Sequence, residues 1–280
     1  MAAPETYPTI KMQTIVVASD GSEYSEGAVR EAIRWSVQHD SKLYAVCTAQ
    51  VTLGQLEYAA DVVSEIDKAA RQACEAIKAR AQAEGIKCET IVHEGEEPYE
   101  HIVGEAKKLN ADAIVVGRRG RRGLMKLLMG SVTHLVIGHA PCNVFVVPRV
   151  GQLTAQRILV ATDGSQYSDQ AVGEAVGLAK LTRGSLIACS IVHGGIDEAT
   201  ANNNIAKVKE IADNNEGVAV ETAVRHGVAY QEIVDMAKEH DADTIVMGTH
   251  GSTGLTTLHM GSVTERVVGL SDRTVMVVKR

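Results

Sequence analysis

Two glycine patterns of identical spacing restrict this chain more than any other feature. Gly117-x2-Gly120-x9-Gly130-Ser131 recurs as Gly248-x2-Gly251-x9-Gly261-Ser262, 131 residues later. Each follows an apolar run that reads as a buried strand, Ala113–Val116 and Thr244–Met247, and each runs into a helix-like segment at Ser131 or Ser262. A strand, a glycine loop and a helix N-terminus form a natural anion site. Backbone N–H groups point outward, the helix dipole favours negative charge, and glycine lets a phosphate approach the backbone. The pattern points to phosphate, and its recurrence points to two copies of one domain.

The repeat extends beyond the glycines. Ile15–Ser22 matches Ile158–Ser165, Tyr24-Ser25 matches Tyr167-Ser168 and Leu43–Thr48 matches Leu186–Ile191, all 143 residues apart. Glu84-Gly85 then matches Glu216-Gly217 at 132, so the second copy lacks about three helical turns between its second and third strands. Pro148–Gln156 reads as the linker, which divides the 280 residues into domains at 1–150 and 151–280. Strands read at 14–19, 43–48, 88–93, 113–117 and 143–147, with helices at 24–38, 56–83, 98–109 and 131–139. The second copy repeats the strands at 157–162, 186–192, 218–224, 243–248 and 274–278. The helix at 56–83 carries an apolar stripe (Leu56, Ala59, Val63, Ile66, Ala70, Ala73, Ile77) that reads as a core-facing surface.

Nearly continuous Val/Ile/Ala strands suit a parallel sheet covered on both faces. The expected fold class is α/β, with two tandem Rossmann-like domains, each a five-stranded parallel sheet of order 3-2-1-4-5 with right-handed crossovers. Ligands of such sheets bind beyond the strand C-termini, at the switch point between the first and fourth strands. Asp20 and Asp163 end the first strands, so each should meet a glycine loop in one cleft per domain.

Bulk properties exclude several classes. A formal net charge of −7 argues against nucleic acid and anionic membrane as general partners. One Trp, one Phe and seven Tyr make a base-stacking platform a poor fit. Five scattered cysteines without a CxxC read as buried, reduced thiols. No apolar run approaches bilayer length and Met1–Ile10 lacks the pattern of a signal peptide, which points to a cytoplasmic protein. There is no Walker A sequence, no GxGxxG after a first strand and no GxSxG. His93-Glu94-Gly-Glu96-Glu97-Pro98-Tyr-Glu100-His101 has metal-ligand residue types, but it is not HExxH and reads better as a helix start.

Together the doubled β1-Asp-Gly-Ser and G-x2-G-x9-G-S motifs resemble the universal stress protein family in its tandem form, over nearly the whole chain. The resemblance implies the adenine nucleotide alpha hydrolase-like variety of the fold and an ATP site in each domain, with ADP or AMP equally compatible with the motif. It places Asp20 and Asp163 beside the nucleoside, where they can help hold Mg²⁺. Thr48 and Ile191 take the position whose backbone contacts the base, and the preceding Cys47 and Ser190 depart from the family's usual histidine. Gly117, Gly120, Gly130 and Ser131, like Gly248, Gly251, Gly261 and Ser262, fall around ribose and phosphates, with the N–H groups of Val132 and Val263 facing phosphate oxygens.

The residues themselves add three readings. Ser131 and Ser262 suit helix N-caps, with Ser262-x-x-Glu265 in capping-box form. Asp20 and Asp163 suit capping of the first helices. The first loop carries Arg118, Arg119, Arg121, Arg122 and Lys126, whereas the second carries His250 and His259, so the first domain should hold phosphate more tightly.

The expected function is ATP binding in a regulatory stress response, exerted on a protein partner that the residues do not identify. Nothing pairs a nucleophile with a base, so turnover is not expected. The alternatives are a slow ATPase or a phosphoryl or adenylyl transferase, and a nucleotide-free interaction module. In the family the last strands, here 143–147 and 274–278, pair or pack across a dimer. This implies an intrachain pseudo-dimer and leaves room for a homodimer of chains.

Overall fold

A computed structural model describes residues 10–52, 54–55, 59–120, 129–215, 218–251 and 260–279. The chain divides into two compact units, one over Met12–Val150 and one that includes Gly151–Arg280. In the first unit the elements are β1 (Thr14–Ser19), α1 (Glu26–His39), β2 (Lys42–Gln50), α2 (Ala60–Ala83), β3 (Cys88–Gly95), α3 (Pro98–Lys108), β4 (Ala113–Gly117), α4 (Ser131–His139) and β5 (Asn143–Val147). In the second they are β6 (Arg157–Ala161), α5 (Gln166–Thr182), β7 (Ser185–Val192), α6 (Glu198–Asp213), β8 (Val220–His226), α7 (Ala229–Glu239), β9 (Thr244–Gly248), α8 (Ser262–Leu270) and β10 (Thr274–Val278).

Each unit has a five-stranded parallel sheet, ordered β3-β2-β1-β4-β5 in the first and β8-β7-β6-β9-β10 in the second. This is the 3-2-1-4-5 order expected of the fold class. Strands β4, β9 and β10 are buried along their whole length, which accounts for their unbroken apolar sequences. In the first unit α1 packs beside α2, and α3 beside α4, so helices cover both faces. No helix among the described residues is long and apolar enough to cross a membrane.

Two carboxylates set the register of the central strands. Asp112 Oδ2 accepts the N–H groups of Gln13 and Thr14, both at 2.9 Å, at the start of β1. Asp243 Oδ2 does the same for Gln156 and Arg157, at 2.9 and 3.0 Å, and also accepts the Thr154 hydroxyl at 2.8 Å. Each carboxylate satisfies strand-end donors that would otherwise be orphaned.

The structure corrects several sequence expectations. Pro148–Gln156 contains the boundary between the units and is a packed segment. Arg149 O accepts from Arg30 Nη1 on α1 at 3.2 Å, and Leu153 and Ala155 are buried. The first helix starts two residues later than expected because Ser22–Ser25 form turns, with Ser25 N donating to Ser22 O at 3.1 Å. The shortening in the second copy is also divided. The β2–α2 connection has nine residues against five between β7 and α6, and the rest of the difference lies at the helix start. The stripe on α2 is core-facing only in its second half. Cys74, Ile77 and Ala81 are the helix's buried residues, and nothing before Cys74 is buried. Leu56 of that stripe lies outside the described residues.

Candidate functional site

The strand ends of the first unit open on a cavity of about 930 Å³ at the β1/β4 switch point. Its floor is the end of β1 and β2, with Ser19, Asp20, Cys47 and Thr48. One wall is the glycine loop and the start of α4, with Gly117, Arg119, Gly120, Gly130, Ser131, Val132 and Thr133. The opposite wall comes from the first half of α2, chiefly Asp61, Val62, Glu65, Ile66 and Ala70. That half-helix projects past the buried stripe, so Ile66 and Ala70 face the cavity instead of the core. Of the sequence-derived candidates in this unit, Arg118 is not among the lining residues although its neighbour Arg119 is. Arg122, together with Arg121 and Lys126, lies outside the described residues.

Local chemistry builds the loop. Asp20 Oδ1 accepts both the N–H and the hydroxyl of Ser22, at 3.0 and 2.6 Å. This is an Asx turn and not a helix cap, because the N-cap of α1 is Ser25. The other carboxylate oxygen abuts Gly120, where a Cβ would stand 2.9 Å from it. Gly130 N donates to Arg118 O at 2.9 Å and closes the loop, and Thr133 Oγ1 donates to Gly117 O at 2.8 Å.

Gly130 in extended conformation is the N-cap of α4, which makes Ser131 the first helical residue. The expected serine cap is therefore absent here, and likewise at α8, where Gly261 caps, Ser262 begins the helix and no side-chain cap bond forms. Glycine has no side chain to satisfy the first-turn N–H groups, so those of Ser131, Val132 and Thr133 stay available at the cavity wall. Thr48 lines the cavity floor, and its Oγ1 is buried within the protein without a hydrogen-bond partner. Such a group ordinarily has one.

The second unit repeats the loop. Asp163 Oδ1 accepts Ser165 N at 3.0 Å, a Cβ at Gly251 would stand 2.6 Å from Asp163 Oδ2, and Thr264 Oγ1 donates to Gly248 O at 2.9 Å. Ser165, not Asp163, caps α5. Ile191 is buried on β7, and Val263 follows Ser262 in the first turn of α8. His250, in place of Arg119, lies 5.1 Å from the Tyr167 ring and pairs with Thr249 Oγ1 at 3.1 Å. His259 lies outside the described residues.

Elsewhere, His93 and Glu105 form an ion network with Lys108, at 3.0 and 2.7 Å, and His101 stacks on His93 at 4.6 Å. Burial pushes the Glu105 carboxyl up, but Lys108 and His93 outweigh it and hold it below its ordinary range. No group of three metal-ligating residues occurs among the described residues.

Four cysteines are buried and Cys142 is half-buried. The Cys74 sulfur and burial push the Cys47 thiol up, and burial pushes Cys88 up to about 11 and Cys189 up to about 12. Thiolate is the reactive species. Cys47 in turn holds the Cys74 thiol below its ordinary range, so at Cys74 burial alone protects the sulfur. Disulfide-exchange labelling of the native protein at pH 8 should modify Cys142 alone, with the other four reacting only on unfolding. Fast labelling of a second cysteine would contradict the burial described.

Two doubly wound domains, each with an aspartate-bearing turn and a glycine loop at its switch point, define a tandem Rossmann-like protein. The Universal stress protein family model matches residues 11–148 and 154–279, and the chain belongs to that family. It is 36% identical over 139 residues to universal stress protein MJ0531 of Methanocaldococcus jannaschii, covering 48% of this chain and 81% of that one. It is 26% identical over 291 residues to a universal stress protein of Mycolicibacterium smegmatis, covering 95% and 96%. The fold is shared with a universal stress protein structure from Archaeoglobus fulgidus, with a TM-score of 0.77, 24% identity and coverage of 97% and 100%.

Proposed function

We propose that the first unit binds an adenine nucleotide, with ATP as the leading candidate, and that this cytoplasmic protein serves a regulatory stress response by binding and not by turnover. The observation that carries the reading is the cavity at the switch point. It combines an uncapped helix N-terminus for phosphate with the Asp20 turn at the end of β1. Its volume falls in the range of small-molecule sites. The N–H groups of Ser131, Val132 and Thr133 are the phosphate donors, with Arg119 beside them. Mg²⁺ would supply charge neutralisation. The residues present fit an ion that rides on the phosphates with Asp20 as its one nearby protein carboxylate on the loop, as Mg²⁺ commonly does.

The test is to identify nucleotide released from the denatured protein and then titrate ATP and Mg²⁺ into wild type and Ser131→Pro. Proline at the first helical position keeps the helix and removes one phosphate donor. Affinity should fall about tenfold, the worth of one hydrogen bond of roughly 1.4 kcal/mol. A melt without ligand controls for folding. Unchanged affinity in a folded variant would show that the helix N-terminus meets no phosphate, and absence of any uptake by wild type would end the nucleotide reading.

A further inference from the structure

We infer that Asn204 closes the cleft of the second unit from within, so that the chain takes one nucleotide and not two. This rests on the nucleotide reading of the first unit.

Among the described residues the backbone of the second loop matches that of the first, although His250 replaces Arg119. Gly261 N donates to Thr249 O at 2.8 Å, as Gly130 N does to Arg118 O at 2.9 Å, and the aspartate–glycine approach is present in both. The difference lies in the helix above. Asn204 of α6 reaches the β6–α5 turn, where its Oδ1 lies 2.5 Å from the place of a Cβ on Gly164. Its Nδ2 donates to Ser190 Oγ on β7 at 3.4 Å, and Ser190 is buried. Gly164 and Ser190 are the counterparts of Gly21 and Cys47 in the repeat. The cavity of the first unit runs between that same turn and that same strand position, with Asp20 on one side and Cys47 on the other. One side chain thus spans the gap in which the first unit keeps its cavity.

The helix register explains how it reaches. Matching the buried positions Ile77 and Ala81 of α2 with Val208 and Ala212 of α6 places Ala73 opposite Asn204. A methyl group then stands where α6 carries an amide. The same register leaves Ala60–Ile66 without a counterpart, and those two turns supply Asp61, Val62, Glu65 and Ile66 of the cavity wall. Lys207, one turn beyond Asn204, pairs with Asp169 of α5 at 2.8 Å and holds α6 against its neighbour.

The experiment is equilibrium dialysis of ATP with Mg²⁺ against the full chain, counting bound nucleotide per chain. Wild type should bind one, Gly130→Val none, and Asn204→Ala two, with the affinity of its tighter site unchanged. Alanine has the highest helix propensity, so the last variant keeps α6. Two nucleotides on wild type, one remaining on Gly130→Val, or only one on a folded Asn204→Ala would each overturn the inference. None on wild type would instead overturn the nucleotide reading, and this inference with it.

Discussion

Ala70→Trp will remove nucleotide from the first unit while leaving the fold in place. Ala70 sits on the cavity side of α2 and is only half-buried, so an indole there extends into space and not into packed core. Tryptophan is tolerated in helices at a cost of only a few tenths of a kcal/mol. The indole occupies the space a ligand needs, and nucleotide affinity should drop by about 100-fold or more, roughly 2.7 kcal/mol. Calorimetric titration with ATP and Mg²⁺ measures the loss, and a melt without ligand controls for folding. Retained affinity in a folded variant would place the binding site elsewhere.

Gly117→Ala and Gly248→Ala should each destabilise their unit by about 1–3 kcal/mol, with or without ligand, as expected for overpacking against groups that cannot move aside. A Cβ on Gly117 would stand 2.7 Å from Tyr24 O and 3.2 Å from Ser25 Cα, both backbone atoms. On Gly248 it would stand 2.7 Å from Tyr167 O and 2.9 Å from Tyr167 C. Either methyl pushes the end of the fourth strand off the turn that starts the first helix.

The other glycines of the motif behave differently. At Gly120 the obstacle is the Asp20 carboxylate, a side chain that can swing away, and at Gly130 the nearest atom is 3.3 Å off. Thermal melts should rank Gly117→Ala well below Gly120→Ala and Gly130→Ala. Equal losses at all three would mean that the loop packs as a unit. The first glycine of the motif is thus demanded by the fold, and the later two shape the cleft.

That division bears on how the sequence can be read. The spacing of Gly117, Gly120 and Gly130 is visible because the same intervals recur in both copies. The parallel sheet followed from unbroken apolar strands, since a strand buried on both faces admits few polar residues, and the strand order was expected from the doubly wound fold class. Asp20 and the loop were expected to converge, and the approach of Asp20 to Gly120 places them together.

Ser131 and Ser262 were misplaced by one position because an N-cap preference cannot distinguish serine from a preceding glycine already in extended conformation. The α2 stripe was half misread because helical periodicity shows that a face is apolar, but not whether core or cavity lies opposite.

The amino-acid order by itself therefore determined the duplication, the α/β class and the family, all of which rest on local periodicity and fixed spacing. The tertiary structure alone decided that α2 overhangs a cavity and that Asn204 bridges Gly164 and Ser190. It also decided that Asp112 and Asp243 secure the first strands. Each of these depends on a side chain meeting a partner that is distant in the chain, or on how far a helix slides along its sheet. Neither quantity leaves a periodic trace in the sequence.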